Sequence, residues 1–396
     1  MTMAARPLDG ITVLSLEHAI AAPYCTRHLA DLGARVIKIE RPGVGDFARA
    51  YDERVRGMAS HFVWTNRSKE SLTLDLKAPQ AAEILDRLVA KADVLVQNLA
   101  PGAAARLGLS YEAVSAKNAG IVVCDISGYG DDGPYREKKA YDLLIQAEGG
   151  FLSVTGSAEE SAKAGCSIAD IAAGMYALNS VMAGLIQRGR TGKGARYEVS
   201  MLECMVEWMG YPLYYAFEGA APPPRAGAAH ATIYPYGPFP TGDGRTVMLG
   251  LQNEREWALF CERVLEQPDL TADPRFASNA KRSAAREELA AIIAQAFSSQ
   301  SREAVMARLD AAGIANAGVN AMADIWAHPQ LQARGRFAEM GSPVGLVPTL
   351  LPPGRTDAYA PRLDPVPDLG EHTDAILTEL GYGPGEIETL RVEKVV

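Results

Sequence analysis

Two periodicities alternate along the first half of this chain, and that alternation restricts its fold more than any other feature. Ile11 to Leu16 is a short β-branched apolar run and predicts a strand. Pro23 then opens a helical pattern that runs to Leu32, with Gly33 as the stop. Val36 to Glu40 predicts a second strand, closed by Arg41-Pro42-Gly43. The order repeats with Ser71 to Leu76 (strand), Ala81 to Lys91 (helix), Asp93 to Gln97 (strand) and Ile121 to Ile126 (strand). Strands separated by helices predict an α/β fold: a Rossmann-like parallel sheet covered on both faces. Ligands of such sheets sit beyond the carboxyl ends of the strands. Those ends carry Glu17-His18, Glu40-Arg41, Asn98 and Ser127-Gly128-Tyr129-Gly130.

The chemistry-bearing stretch is Lys163 to Gly174. It joins a glycine-rich loop (Gly149, Gly150, Gly156) to a long apolar helix expected from about Ile171 through Leu185. Asp170 stands where that helix starts. Ser167 lies three residues earlier, the spacing of a capping box, so Asp170 reads as a helix start. It also reads as a nucleophile. Small apolar neighbours would partly desolvate it, the helix N-terminus would keep it ionised, and free amides could hold an oxyanion. The residues alone leave both roles open.

Two nucleotide motifs fail on inspection. No Gly-x-Gly-x-x-Gly follows the first strand. Arg188 to Gly194 has the look of a P-loop, but Gln187 replaces its first glycine and Gly194 its Ser/Thr. A basic helix-to-strand turn remains. The formal charge of −9 argues against nucleic acid and anionic membrane as partners. Five dispersed cysteines without metal-ligand spacing predict no metal site and a reducing, cytoplasmic setting. The N-terminal residues lack a signal-peptide layout, and no run of 18 apolar residues occurs, which predicts no membrane span.

Met201 to Phe217 predicts one long apolar helix, followed by a linker at Ala221-Pro-Pro-Pro-Arg225. Beyond it, Pro235 to Leu251 reads as an antiparallel piece turning at Gly242-Asp-Gly244. Helices are expected at Glu254 to Leu265, Ala284 to Phe297 and Arg302 to Ala312. The expected division is a large domain over 1–220, a smaller α+β domain over 225–335, and a proline-rich segment over 336–396 returning to the first domain.

Several blocks in order and spacing carry a family resemblance. They include Pro7-Leu-Asp-Gly10, Leu29 through Pro42, Gly45-Asp46, Leu74-Asp-Leu-Lys77 and Asp93 through Asn98. Further blocks are Gly128-Tyr-Gly130, Asp170-Ile-Ala-Ala-Gly174, Arg190 through Gly194 and Leu369 through Asp374. Together they resemble the family III CoA transferases, which include formyl-CoA:oxalate and carnitine enzymes and, as a divergent branch, α-methylacyl-CoA racemases. The resemblance implies CoA movement between carboxylic acids, with no permanently bound cofactor and acyl-CoA as substrate. It implies an interlocked homodimer. It makes Asp170 the nucleophile, forming a mixed anhydride and then an aspartyl-CoA thioester.

The family's CoA contacts carry over to Ile20, Ala21, Arg41, Leu74, Lys77, Asn98, Leu99, Ala100, Arg106, Lys139 and Asp142. Asp142 matches an acid near the nucleophile, one methylene shorter than the usual Glu. Ile20 replaces a Gln of the oxalate enzymes and cannot donate to an oxyanion. Glu17, His18 or backbone amides become the candidates for that role. Tyr51 stands where an aromatic lid residue is expected, and His230 lies in a shortened loop of the small domain. Glu17, His18, Tyr51 and His230 are therefore the candidate acyl-site residues, with Arg54 and Arg56 as further carboxylate clamps. The Glu17-His18-Ala-Ile-Ala-Ala-Pro23 stretch is similar to the mesaconyl, itaconate and citramalate branch, which implies small dicarboxylates with succinyl-CoA or mesaconyl-CoA as donor. Two competing readings are a 2-methylacyl-CoA racemase and a non-catalytic CoA-binding protein. The racemase needs a His where Tyr141 stands, and a phenol of pKa near ~10 shuttles protons poorly at neutral pH.

Overall fold

Apolar strands need cover on both faces, and the chain supplies it with helices between them. The computed structural model describes residues 5–396. Six strands form one parallel sheet: β1 (Thr12–Leu16), β2 (Arg35–Glu40), β3 (Lys69–Thr73), β4 (Val94–Gln97), β5 (Val122–Ser127) and β6 (Arg196–Ser200). Their spatial order is β3-β2-β1-β4-β5-β6, and every neighbouring pair is parallel. The order reverses between β1 and β4. Their carboxyl ends therefore flank the crevice where a doubly wound sheet binds its ligand.

The chain divides into two compact units. The first holds Met1–Gly150, Ala164–Met209 and Ala333–Val396; the second holds Phe151–Lys163 and Gly210–Gln332. In the first unit, Leu14, Leu16, Ile37, Ile39, Leu72 and Leu95 pack under the Ala81–Lys91 helix, with Ile376, Leu377 and Leu390 of the C-terminal segment in the same core. The helices Ala21–Asp31 and Ile168–Thr191 lie against each other through small residues. A Cβ on Gly174 would come within 2.7 Å of the Ala21 carbonyl, so only glycine allows this approach.

The Ile168–Thr191 helix has the length and apolarity of a membrane span. Its Ala169, Ala172, Ala173, Ala177 and Val181 face is buried within the first unit, and the helix packs on β5. It starts three residues before the expected Ile171 and ends at Gly192, whose φ of +71° closes it. The glycine-rich 188–194 stretch is thus a helix end leading into β6.

The C-terminal segment covers the free edge of β3, which would otherwise expose unpaired amides. Ser68 donates its amide to the Asp364 carbonyl, His372 donates to Ser71, and Thr73 donates to the Thr373 hydroxyl. The Asp75 amide reaches the Val395 carbonyl at 2.7 Å.

In the second unit β7 (Tyr236–Pro240), β8 (Thr246–Gly250) and β9 (Ala315–Gly318) form an antiparallel sheet. Trp257, Phe260, Phe276 and Phe297 fill its core beside Val247 and Leu249. The third strand was not visible in the sequence. Neither was the hairpin of β10 (Phe337–Met340) and β11 (Val347–Leu350) in the first unit. The single helix expected over Met201 to Phe217 is broken: Met201–Trp208 ends, and Gly210–Tyr215 begins as part of the second unit. Gly210 and Pro212 are poor helix interior residues, which explains the break. The Phe151–Lys163 segment also belongs to the second unit rather than to a continuous first domain. Arg225 ties it there by donating to the Ser157 and Ala158 carbonyls at 2.8 and 2.9 Å.

Candidate active site

Asp170 lies in the first turn of the Ile168–Thr191 helix. The expected Ser167 cap is not made. The first-turn amides are nonetheless all taken. Ile168 donates to the Cys166 carbonyl and Ile171 to Ser167, each at 2.9 Å. Ala169 and Asp170 donate to Oδ1 of Asp142, at 2.8 and 3.3 Å. Asp142 opens the neighbouring Asp142–Glu148 helix, and its Oδ2 accepts from Gln146 at 2.7 Å. A carboxylate from another helix therefore does the capping and leaves the Asp170 carboxylate uncommitted. One expectation is corrected here: the helix amides are not free for an oxyanion. Asp142, expected among the CoA contacts, caps this helix.

Burial, and then the negative charge of Asp142, push the Asp170 carboxyl up to about 7. The helix N-terminus does not hold it at its ordinary value, because Asp142 occupies the amides and adds like charge. Such a carboxylate is part-protonated at neutral pH and basic when ionised. Asp142→Asn keeps the Oδ1 acceptor and removes the charge. The acid limb of the kcat/KM profile is expected to move to lower pH, because the like charge that favours the protonated form is gone. An unmoved limb in the variant would show that Asp142 does not couple to Asp170.

Beside Asp170 stand aromatic side chains. Tyr51 is pushed up to about 12 by burial and by the charges of Asp46 and Asp170, then Tyr141. Its ring meets Phe47 at 5.7 Å and His61 at 5.3 Å. Phe47 stacks on His18 at 5.3 Å with the planes 24° apart. His18 is lowered by burial, which keeps the ring neutral, and the charges of Asp46 and Arg41 both act on it. Its Nδ1 is buried with no hydrogen-bond partner. The rings of His18, Phe47 and Tyr51 thus form a run whose two ends feel the charges of Arg41 and of Asp170, all within the first unit.

Beneath this surface lies a buried ion network. Glu17 is 1% exposed. Its carboxylate accepts from Lys69 at 2.6 Å, from Thr26 at 2.6 Å and from Lys38 at 3.4 Å. Lys38 also meets Asp46 at 2.8 Å. Asp46 in turn accepts the amides of Ala19 and Ala48, at 3.2 and 2.9 Å. Glu40 closes the set with Arg49 at 2.7 Å and Ser71 at 2.6 Å. Burial alone would raise the Glu17 carboxyl, but Lys69 and Lys38 outweigh it and pull the group down to about 2. Glu17 is therefore an internal counter-ion and not an acyl-site residue. The signal for this was present: Lys38 stands between Ile37 and Ile39, where a lysine requires a buried partner.

The remaining expected residues separate into groups. Arg41 and Lys77 line one cavity of about 590 Å³ in the first unit. Ile20 and Ala21 are buried wall residues at 4% and 2% exposure. Leu74 is a core side chain whose amide donates to Glu40, so it offers CoA no donor. Asn98 bonds the amide and carbonyl of His18 through its side chain, each at 2.9 Å, and so fixes that loop. The Leu99 amide is taken by Gln97 at 2.7 Å. Ala100, Arg106 and Lys139 are exposed, and none of them lines the Arg41 cavity. His230 belongs to the second unit, where its Nδ1 accepts the Thr232 and Ile233 amides and its ring stacks on Tyr236. Its Nδ1 is thus committed to its own loop. Arg54 and Arg56 are both exposed, and Arg56 donates to the Leu346 carbonyl at 3.1 Å. Among the described residues, no group of three His, Cys, Asp or Glu is placed to hold a metal.

The sequence profile of CoA-transferase family III matches residues 8–373. The chain belongs to that family. This family III CoA-transferase is 33% identical to the succinyl-CoA:glutarate CoA-transferase of Mus musculus, over 99% of this chain and 90% of that protein. It is 32% identical to the succinyl-CoA:mesaconate CoA-transferase of Haloarcula hispanica, over 98% of both chains. A solved CAIB/BAIF family protein from Brucella suis superimposes with a TM-score of 0.84 at 35% identity, covering 95% of this chain and all of that one.

Proposed function

We propose that this transferase moves CoA from succinyl-CoA to a second small dicarboxylic acid through covalent intermediates on Asp170. The observation that carries the mechanism is the half-buried, uncommitted Asp170 carboxylate, raised to about 7 and held at a helix start by another residue's cap. The carboxylate oxygen attacks the thioester carbonyl, the C–S bond breaks, and CoA leaves as thiolate with an anhydride formed. The thiolate then attacks the aspartyl carbonyl and releases the donor acid, leaving an aspartyl-CoA thioester. The acceptor carboxylate attacks that thioester, forms a second anhydride and frees the thiolate again. The thiolate takes the acceptor's acyl group, and Asp170 returns as carboxylate. Anhydride and thioester are similarly activated, so the acyl energy is conserved if water is kept away. Tyr51, Phe47 and Ile20 supply apolar surface to that end.

Dicarboxylates are supported by the relatives named for succinyl-CoA with glutarate and with mesaconate. The first unit offers His18 and Tyr51 as neutral hydrogen-bond donors toward the acyl group. The same reading makes the enzyme a homodimer with interlocked subunits, supported by exposed Tyr211, Leu213, Tyr214 and Phe217 on the second unit. It assigns the enzyme to a reducing cytoplasm, which suits five unpaired cysteines. Purified enzyme with succinyl-CoA should convert glutarate, mesaconate or citramalate at least about tenfold better in kcat/KM than acetate. Equal rates with monocarboxylates would overturn the dicarboxylate assignment. Deuterium exchange at C2 of a 2-methylacyl-CoA, without CoA transfer, would favour a racemase instead. A molar mass of one chain in light scattering would remove the dimer.

A further inference from the structure

The cavity at Arg41 and Lys77 is not built from the sheet alone. Its other walls are Arg391, Lys394 and Val396 from the C-terminal segment, with Pro42, Gly43 and Asp75. Four cations thus converge from three distant stretches of chain: the ends of β2 and β3, and the end of the Pro384–Val392 helix. Asp75 opposes them, but its Oδ1 already accepts the Lys77 amide at 3.0 Å. The volume, about 590 Å³, falls within the range of small-molecule sites.

The backbone holding Lys394 is unusual. Lys394 has φ +58°, a left-handed conformation that glycine adopts freely and lysine does not. Other helices here end on glycine in that region, as at Gly192 and Gly313. Lys394 instead donates its amide to the Arg391 carbonyl, and Val395 donates to Leu390, closing the helix end. The neighbouring Val395 carbonyl is pinned by the Asp75 amide, and its side chain is 2% exposed. A strained lysine is thereby fixed on the wall of the cavity that Arg41 and Lys77 also line.

We infer that Arg391 and Lys394 complete an anion site for the 3′-phosphorylated ribose end of CoA, and that Lys394 is what distinguishes CoA from dephospho-CoA. This rests on the reading that the Arg41 and Lys77 cavity receives the nucleotide end of the thioester. A phosphomonoester carries nearly two negative charges at neutral pH and gains most from several converging cations. Arg391 is the lesser probe because it is also paired with Asp374 and Glu388.

The test is titration calorimetry on the full-length enzyme with free CoA and with dephospho-CoA. Wild type should prefer CoA by at least about tenfold, or 1.4 kcal/mol. Lys394→Ala should weaken CoA about tenfold and change dephospho-CoA less than twofold. Lys394→Arg should restore most of the preference. Lys394→Gly relieves the strained backbone while deleting the charge, so it should lose the preference without losing thermal stability. Equal weakening of both ligands, or of neither, overturns the role of Lys394. If Arg41→Ala and Lys77→Ala also leave CoA affinity intact, the nucleotide does not enter this cavity and the underlying reading fails with it. If those two weaken CoA while Lys394→Ala does not, only the present inference fails.

Discussion

Asp170→Asn is expected to lower the transfer rate by about ten-thousandfold or more and, at pH 8, to raise the stability of the fold. The first effect follows from the proposed mechanism, which would lose its attacking oxygen anion, since an amide cannot form the anhydride. The second follows from proton linkage. The folded chain holds the Asp170 proton up to about pH 7, whereas the ordinary aspartate value is 3.8. Between these values folding takes up a proton, so stability falls as pH rises and the cost is fully present above pH 7. Three units correspond to about 4 kcal/mol at most. Partial exposure of the residue discounts this to roughly 2 kcal/mol. Asparagine keeps the shape and never ionises, so it escapes the cost at high pH. Unfolding midpoints of the two proteins should separate by a few degrees at pH 8 and converge near pH 4. Incubation with succinyl-CoA and hydroxylamine should mark Asp170 as a hydroxamate in the wild type alone. Variant activity within tenfold of wild type would end the nucleophile assignment.

Glu17→Ala carries the second large effect, and it concerns the fold rather than the chemistry. Lys69 and Lys38 would remain buried, the first with no carboxylate partner and the second with Asp46 only. Breaking a buried pair from one side costs about 3–5 kcal/mol, a large part of a domain's stability. The damage should spread to the site. Lys38 holds Asp46, and Asp46 fixes the Ala19 and Ala48 amides that frame His18 and Phe47. Denaturant midpoints should fall with an unchanged m-value, and CoA affinity should weaken in parallel. The wild-type contribution of Glu17 should also show in acid: it is present above pH 4.5 and lost as pH falls toward about 2. A Glu17→Ala enzyme of wild-type stability but without activity would instead make Glu17 a participant in the reaction.

Glu17 also marks the boundary of what a sequence reveals. Its place at the end of β1 was legible, because β-branched runs of four to six residues announce strands locally. So were β2, β4 and β5 to within about a residue, and the Arg302–Ala312 helix without error. Asp170 stood out for the same reason: a single acid at the start of an apolar helix is visible without any partner. What Glu17 touches was not legible. Lys69 lies 52 residues away and Lys38 lies 21, and only the sheet order brings them under β1. Asp142 could be recognised as an acid near the nucleophile, but its cap on Ala169 and Asp170 spans 27 and 28 residues. Arg391 and Lys394 gave no local signal, for they sit at the end of an ordinary surface helix. The chain's periodicity fixes which face of each segment is apolar, since neighbouring residues set that pattern between themselves. Which charges pair, which amides are taken and which carboxylate stays uncommitted depend on segments that meet only after the backbone has closed. Those choices make the site, and the tertiary structure alone decided them.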